Sequence, residues 1–388
     1  MAGANPRDLY LATQVYQDGG HTALIGDFVR ALGSENAHVI LTDPLANPLP
    51  LPDAILSRLG VPTHRVSVLT GATRGARLSE LLGKLLLLRA DRLFLFHHPT
   101  DPLASAVSQP EIARPRVMIH HADATMSFGI HLPDVTLVDL SPQALAPTAL
   151  GGRESALLRL TAPDPGPRPR GFRIRGGITT ASSGGMHKFA GNYVLRYPET
   201  VAQILRTTEG SHVHIGRLSD ELIDTIGRML SRYEVPGDRF IHVPWTASLA
   251  LTLWEHDCDL FVASFPVDGA RTKVEVLASG TPYIRHMRFP VKPWAHPIAD
   301  AEGLIGWRTW EDLRSTLHRL GSAGELEASA RASRELYETV YHPDVFARRL
   351  AGILDGSVGP AEVDPSELTW ALARLARLAR PSRPHESS

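Results

Sequence analysis

At 388 residues, 43% hydrophobic and 21% charged, the chain carries material for two globular cores rather than one. A formal net charge of −1 excludes general attraction to nucleic acid or anionic lipid, so any phosphate binding must be local. The single cysteine, Cys258, excludes an internal disulfide and suits a reducing, cytoplasmic setting. The opening MAGANPRDLYLATQVY lacks a basic segment followed by a long apolar run, which argues against a signal peptide. No stretch approaches the ~18 apolar residues of a spanning helix.

In chain order, Leu9–Tyr16 reads as a strand and Ala23–Leu32 as a helix with apolar residues near 3.6 spacing. His38–Leu41 and Arg65–Leu69 read as strands, Arg77–Leu88 as an amphipathic helix, and Leu93–Phe96, Val117–His120 and Val135–Val138 as further strands. Residues 162–171, Ala-Pro-Asp-Pro-Gly-Pro-Arg-Pro-Arg-Gly, cannot supply a ladder of donors and read as a linker. Alternation then resumes. Ile178–Ala181, His212–Ile215, Phe240–Val243, Leu260–Ala263 and Tyr283–Arg285 read as strands, and Glu199–Arg206, Glu221–Tyr233, Ser248–His256 and Val274–Ala278 as helices. From Trp310 on the pattern is almost all helical. The expectation is an α/β protein of two Rossmann-like domains with parallel sheets facing a central cleft, over 1–165 and 172–360, with a helix and tail over 361–388. In such sheets ligands sit outside the carboxyl ends of the strands.

The most informative segment is Ser264–Pro282, a strand exit that opens a helix. Gly269 permits close backbone approach, the helix start favours an anion, Thr272 adds a hydroxyl, and Arg271 and Lys273 add charge. Glu275, one turn further in, could accept hydrogen bonds from ribose hydroxyls. On local features alone an ordinary strand–loop–helix with a polar cap reads as well as a diphosphate cradle. The run from Thr272 and Glu275 to Gly280-Thr281-Pro282, with its flanking strands, resembles the donor-site signature of GT-B glycosyltransferases. It is most similar to the O-linked N-acetylglucosamine transferases and the related bacterial protein glucosyltransferases. Ala270 stands where that family often has histidine.

The resemblance implies a hexosyl- or N-acetylhexosaminyl-transferase using a UDP-sugar donor, with the second domain holding the donor and the first the acceptor. It implies that Thr272 meets the diphosphate and Glu275 the ribose, with no cofactor and no bound metal for donor binding. Thr180–Phe189 is similar to the family's lysine segment, which places Lys188 on the diphosphate, where charge builds as the nucleotide leaves. Phe240–Trp245 resembles the strand whose exit meets the nucleobase, with Val243 offering backbone groups and Trp245 a lid; Trp245 as plain core reads nearly as well. Gly20 and His21, in the loop after the first strand, match a family loop with histidine, making His21 the first candidate for general base; a helix-start histidine is the plain alternative. His121 and Asp123, after the strand ending at His120, are candidates for an acceptor-side or second catalytic role.

His97-His98 and His120-His121 invite a metal reading, but neighbours in a strand point to opposite faces and rarely share one ion. Glu-x7-Glu, common in retaining members, is absent, since its first position is Val267; this favours inversion. Gly-x-Gly-x-x-Gly, the Walker loop and Gly-x-Ser-x-Gly are also absent. The segment Leu368–Arg380 is amphipathic, with Arg374, Arg377 and Arg380 recurring every third residue. It suits a helix crossing back to the first domain better than a peripheral contact with the inner face of a membrane or a lipid-linked acceptor. A glycan, a lipid-linked sugar and a protein stay open as acceptors. A nucleotide-sugar 2-epimerase and a non-catalytic sugar-nucleotide-binding protein are the alternative functions.

Overall fold

The computed structural model describes residues 8–17, 19–33, 35, 37–47, 49–121, 127–173, 176–191, 193–287 and 304–363, with 365, 366, 368, 369 and 372. The described residues form two compact units. The first runs from Asp8 to Leu160 and resumes at Phe346; the second holds Thr161–Met287 and Leu304–Val345.

In the first unit the order is β1 (Asp8–Ala12), α1 (Gly20–Leu32), β2 (Ala37–Leu41), α2 (Asp53–Leu59), β3 (Val66–Val68), α3 (Arg74–Leu88), β4 (Arg92–Phe96), α4 (Pro102–Ala106), β5 (Arg116–His120), β6 (Thr136–Asp139), α5 (Pro142–Leu150) and β7 (Ala156–Leu157). The seven strands pair in parallel in the order β3-β2-β1-β4-β5-β6-β7. All five residues of β1 and of β5 are buried, as expected of strands covered on both faces. Alternation along β1 divides the core. Tyr10 and Ala12 join Leu24, Phe28 and Leu59 on one face, while Leu9 and Leu11 join Leu81, Leu85 and Leu103 on the other.

The second unit comprises β8 (Ile178–Ser183), α6 (Tyr197–Thr208), β9 (Glu209–Ile215), α7 (Asp220–Arg232), β10 (Phe240–Val243), α8 (Leu249–Glu255), β11 (Leu260–Val262), α9 (Ala270–Ala278), β12 (Tyr283–His286), β13 (Ile305–Trp307), α10 (Trp310–Arg319) and α11 (Ala323–Leu336). Its six strands, also parallel, run β10-β9-β8-β11-β12-β13. Relative to the first strand of each unit, both sheets contain the 3-2-1-4-5-6 order of the Rossmann fold, extended by β7 in the first, with a switch point between the first and fourth strands. A last helix, α12 (Pro343–Asp355), carries the chain back, and Phe346, Leu350 and Ile353 complete the core face around Tyr10 and Phe28.

Some expected boundaries shift. The first strand ends at Ala12 rather than Tyr16, because the Thr13 carbonyl accepts from Asp43 N (3.0 Å) and Asn47 Nδ2 (3.1 Å) and the chain turns away. Helix α9 starts at Ala270, four residues before the expected Val274, so Arg271 and Thr272 lie in its first turn. The helices α2, α4 and α5 and the strands β7 and β13 are additional; most are too short for periodicity to register. Most of the predicted helix 368–380, with its three arginines, lies outside the described residues.

Candidate functional site

In the second unit the exits of β8 and β11 flank the switch point. Gly184-Gly185 follows β8 and leads into one tight helical turn, Met186–Lys188. Gly216, after β9, sits at φ +135°, and a Cβ there would lie 2.5 Å from the Gly184 carbonyl oxygen. The two loops therefore touch backbone to backbone, which only glycine permits. Lys188 Nζ donates to the Asp268 carbonyl at 3.2 Å, and among the described residues its other N–H groups have no partner. Burial lowers the Lys188 pKa, with the Asp268 carboxylate opposing. The Asp268 carboxylate is itself held near Arg285 Nε (3.6 Å).

Gly269 precedes α9 and supplies no side-chain cap to the helix start. A Cβ on Gly269 would meet Thr272 Oγ1 at 2.6 Å and Lys188 Nζ at 3.3 Å. One ammonium, one hydroxyl and a helix start thus converge on a spot that only glycine leaves open, an arrangement suited to an oxyanion.

In the first unit the loops after β1, β4 and β5 gather histidines at the corresponding switch point. A turn closed by Thr22 Oγ1, which accepts from Tyr16 N (2.7 Å) and donates to Tyr16 O (2.8 Å), sets His21 in the first turn of α1. His21 Nε2 lies 2.9 Å from the Phe96 carbonyl. A carbonyl only accepts, so Nε2 carries the proton and the neutral ring keeps its lone pair on Nδ1. Nδ1 is buried and makes no hydrogen bond of normal geometry among the described residues. Burial pushes the His21 pKa down to about 4, while the Phe96 and Gln14 backbones oppose the shift.

The His121 ring stacks on His21 with centroids 4.5 Å apart, and His98 lies 5.6 Å from His21 and 6.3 Å from His121. Burial, with His21 as neighbour, holds the His121 pKa well below its usual value. Each tandem pair splits as strand geometry dictates. His98 and His121 turn to the cluster. His97 Nε2 bonds the Phe128 carbonyl (2.8 Å), and His120 Nδ1 bonds Asp139 (2.7 Å), which also accepts from Ser155. Among the described residues no group of three or more His, Cys, Asp or Glu side chains could hold a metal ion.

No family profile and no curated protein sequence matches the chain. Solved structures do. HepE from Anabaena in complex with UDP superposes with a TM-score of 0.64 at 12% identity, covering 90% of this chain and 100% of that one. The lipopolysaccharide outer core galactosyltransferase WaaB, in its apo form, gives 0.63 at 12% identity, with 90% and 99% covered. A mutant of the Thermobaculum terrenum O-GlcNAc transferase gives 0.58 at 17% identity, with 97% of this chain and 70% of that one covered. The fold is GT-B. The expected likeness to O-linked N-acetylglucosamine transferases is therefore present in the architecture.

Within this GT-B chain, Lys188, Gly269 and Thr272 come together. Arg271 and Glu275 pair with each other, Nε to Oε1 at 3.1 Å along one helix face. Lys273 stands apart. It is buried, with its ammonium 5.3 Å from the Tyr341 ring centroid. Val243 ends β10 with its carbonyl occupied by Gly216 N (2.9 Å), and Trp245 beyond it is 48% exposed rather than core. Gly20 opens α1 and is exposed; His21 and His121 meet; Asp123 lies outside the described residues. Sequence reading missed the Asp101 network. Asp101 accepts from Thr13 Oγ1 (2.7 Å), from Thr42 Oγ1 and from Leu103 N (2.9 Å), while Thr13 Oγ1 accepts from His98 N (2.8 Å). The one available signal was Asp101-Pro102, an N-cap followed by proline.

Proposed function

We propose that this chain is a glycosyltransferase taking a sugar from a UDP-sugar donor held by its second unit. The convergence of Lys188, Thr272 and the uncapped α9 N-terminus around Gly269 carries the reading. Support comes from HepE of the same fold, solved with UDP and with UDP-glucose. Positive charge from Lys188 and the helix N–H groups meets the diphosphate without a divalent cation. His21, with the His121 ring stacked on it, is the candidate base for the acceptor proton. The acceptor oxygen bonds to the anomeric carbon as that carbon's bond to the diphosphate oxygen breaks, which inverts the centre. The departing UDP takes the electron pair, stabilised by Lys188.

Calorimetry with UDP, with and without EDTA, tests the donor part. Lys188→Ala and Thr272→Ala are expected to weaken UDP by about 10-fold or more, on the scale of ~1.4 kcal/mol for a lost charge-assisted contact. EDTA is expected to change nothing. Unchanged affinity in both variants would remove the donor site from this loop.

A further inference from the structure

A cavity of about 330 Å³ opens in the first unit beside the histidine cluster, at the carboxyl ends of β1, β2 and β4. Its wall includes Asp43, Arg74, Arg77, His98, Thr100 and Asp101. The volume is at the small end of ligand pockets, ~300–1,000 Å³, so it takes one compact unit rather than a polymer segment.

Its chemistry is specific. Arg74 and Arg77 rise from the first turn of α3. Among the described residues neither is in an ion pair. Arg77 Nη1 reaches the Thr42 carbonyl at 3.3 Å, while its Nε is buried without a partner. A guanidinium without a counter-ion in a cavity wall is matched by an oxyanion, which accepts two parallel N–H bonds. The carboxylates serve another purpose. Asp101 already accepts three hydrogen bonds, and Asp43 accepts from Leu45 N (3.0 Å). Each retains lone pairs, and with the Thr100 hydroxyl they suit ligand O–H groups. Guanidinium donors beside carboxylate acceptors describe a polyol that also bears an anion.

We propose that this cavity binds the acceptor as a sugar unit carrying an oxyanion, phosphate or carboxylate, with Arg74 and Arg77 on the anion and Asp43 and Asp101 on its hydroxyls. This rests on the transferase reading. His98 belongs both to the cavity wall and to the imidazole cluster, so a hydroxyl of the bound sugar would lie beside the proposed base.

The probes are glucose 6-phosphate, glucuronate and glucose, titrated calorimetrically at low salt into the full chain, with UDP titrated separately. At least one anionic sugar is expected to bind 10-fold or more tightly than glucose, and the stronger of the two identifies the oxyanion. Arg77→Met is expected to erase that preference and Arg74→Met to reduce it at least 3-fold, with UDP affinity unchanged in both. Glucose binding as tightly as both anionic sugars would overturn the proposal. So would an undiminished preference in both variants, or no binding of either anionic sugar at 10 mM to protein that still binds UDP. Failure to bind UDP in the unmodified protein would instead sink the donor reading.

Discussion

Acidification should destabilise the second unit through two buried histidines. Tyr197 Oη joins His212 Nε2 (3.0 Å) to His214 Nδ1 (2.7 Å), and Thr180 Oγ1 meets His212 Nδ1 (2.8 Å). Burial pushes both histidine pKa values down to about 3. The folded values lie below the unfolded one, so the folded unit keeps these rings neutral while the unfolded chain protonates below its ordinary ~6.5. This contribution is present above that pH and is lost as pH falls towards the folded values. Between pH 7 and pH 5 linkage gives a loss of about 2 kcal/mol per imidazole, ~4 for the pair. In the folded unit both rings stay neutral at pH 5. Against a typical ~5–15 kcal/mol, the loss is large. Urea titrations at pH 7 and 5, followed by tryptophan fluorescence, would measure it, with Trp245, Trp254, Trp307 and Trp310 of the chain's six tryptophans reporting from this unit. The comparison is with the His212→Gln/His214→Gln double variant, in which the contributions of other histidines cancel. An equal pH 7-to-5 loss in variant and parent would refute the reasoning.

Three further outcomes are expected. Gly269→Ala should push Thr272 from its place, since the new Cβ would stand 2.6 Å from Oγ1, and should weaken UDP about 10-fold by calorimetry while the melting temperature moves by only a few degrees. Asp139→Ala removes the partner of both His120 and Ser155 and should cost ~2–4 kcal/mol in urea unfolding. In the pH profile of kcat/KM, a His21 base with a pKa of about 4 stays unprotonated through mild acid, so the acid limb should fall below pH 5.5 rather than near 6.5; His21→Ala should lower kcat at least ~100-fold without altering UDP affinity.

Both sheets were legible in the sequence because their strands are short apolar runs divided by amphipathic helices, a pattern set by burial on two faces. Lys188 and Thr272 came from the family resemblance, since local features alone read equally as an ordinary strand–loop–helix; the structure brings both to Gly269. Lys273 reads otherwise, because its direction depends on where α9 starts. With Ala270 as the first residue, the turn carries Lys273 against Tyr341. The Asp101 network was not legible. Its contacts span 88 residues to Thr13 and 59 to Thr42, and only the lateral order of β1, β2 and β4 brings them together. Arg77 likewise reads as an ordinary residue of an amphipathic helix until the neighbouring strand exits build a cavity against it.

The return of α12 gives this chain an order of assembly. Phe346, Leu350 and Ile353 fill the same core face as Tyr10, Phe28 and Phe94, and the Phe28 and Phe346 rings lie 5.3 Å apart. On a ribosome, residues up to Leu160 emerge first, yet that face lacks Phe346, Leu350 and Ile353 until everything to Val345 has been made. The later unit therefore finishes first, and the earlier one waits with an apolar surface exposed. A nascent chain stalled near residue 345 would still leave uncovered the part of that core that α12 closes.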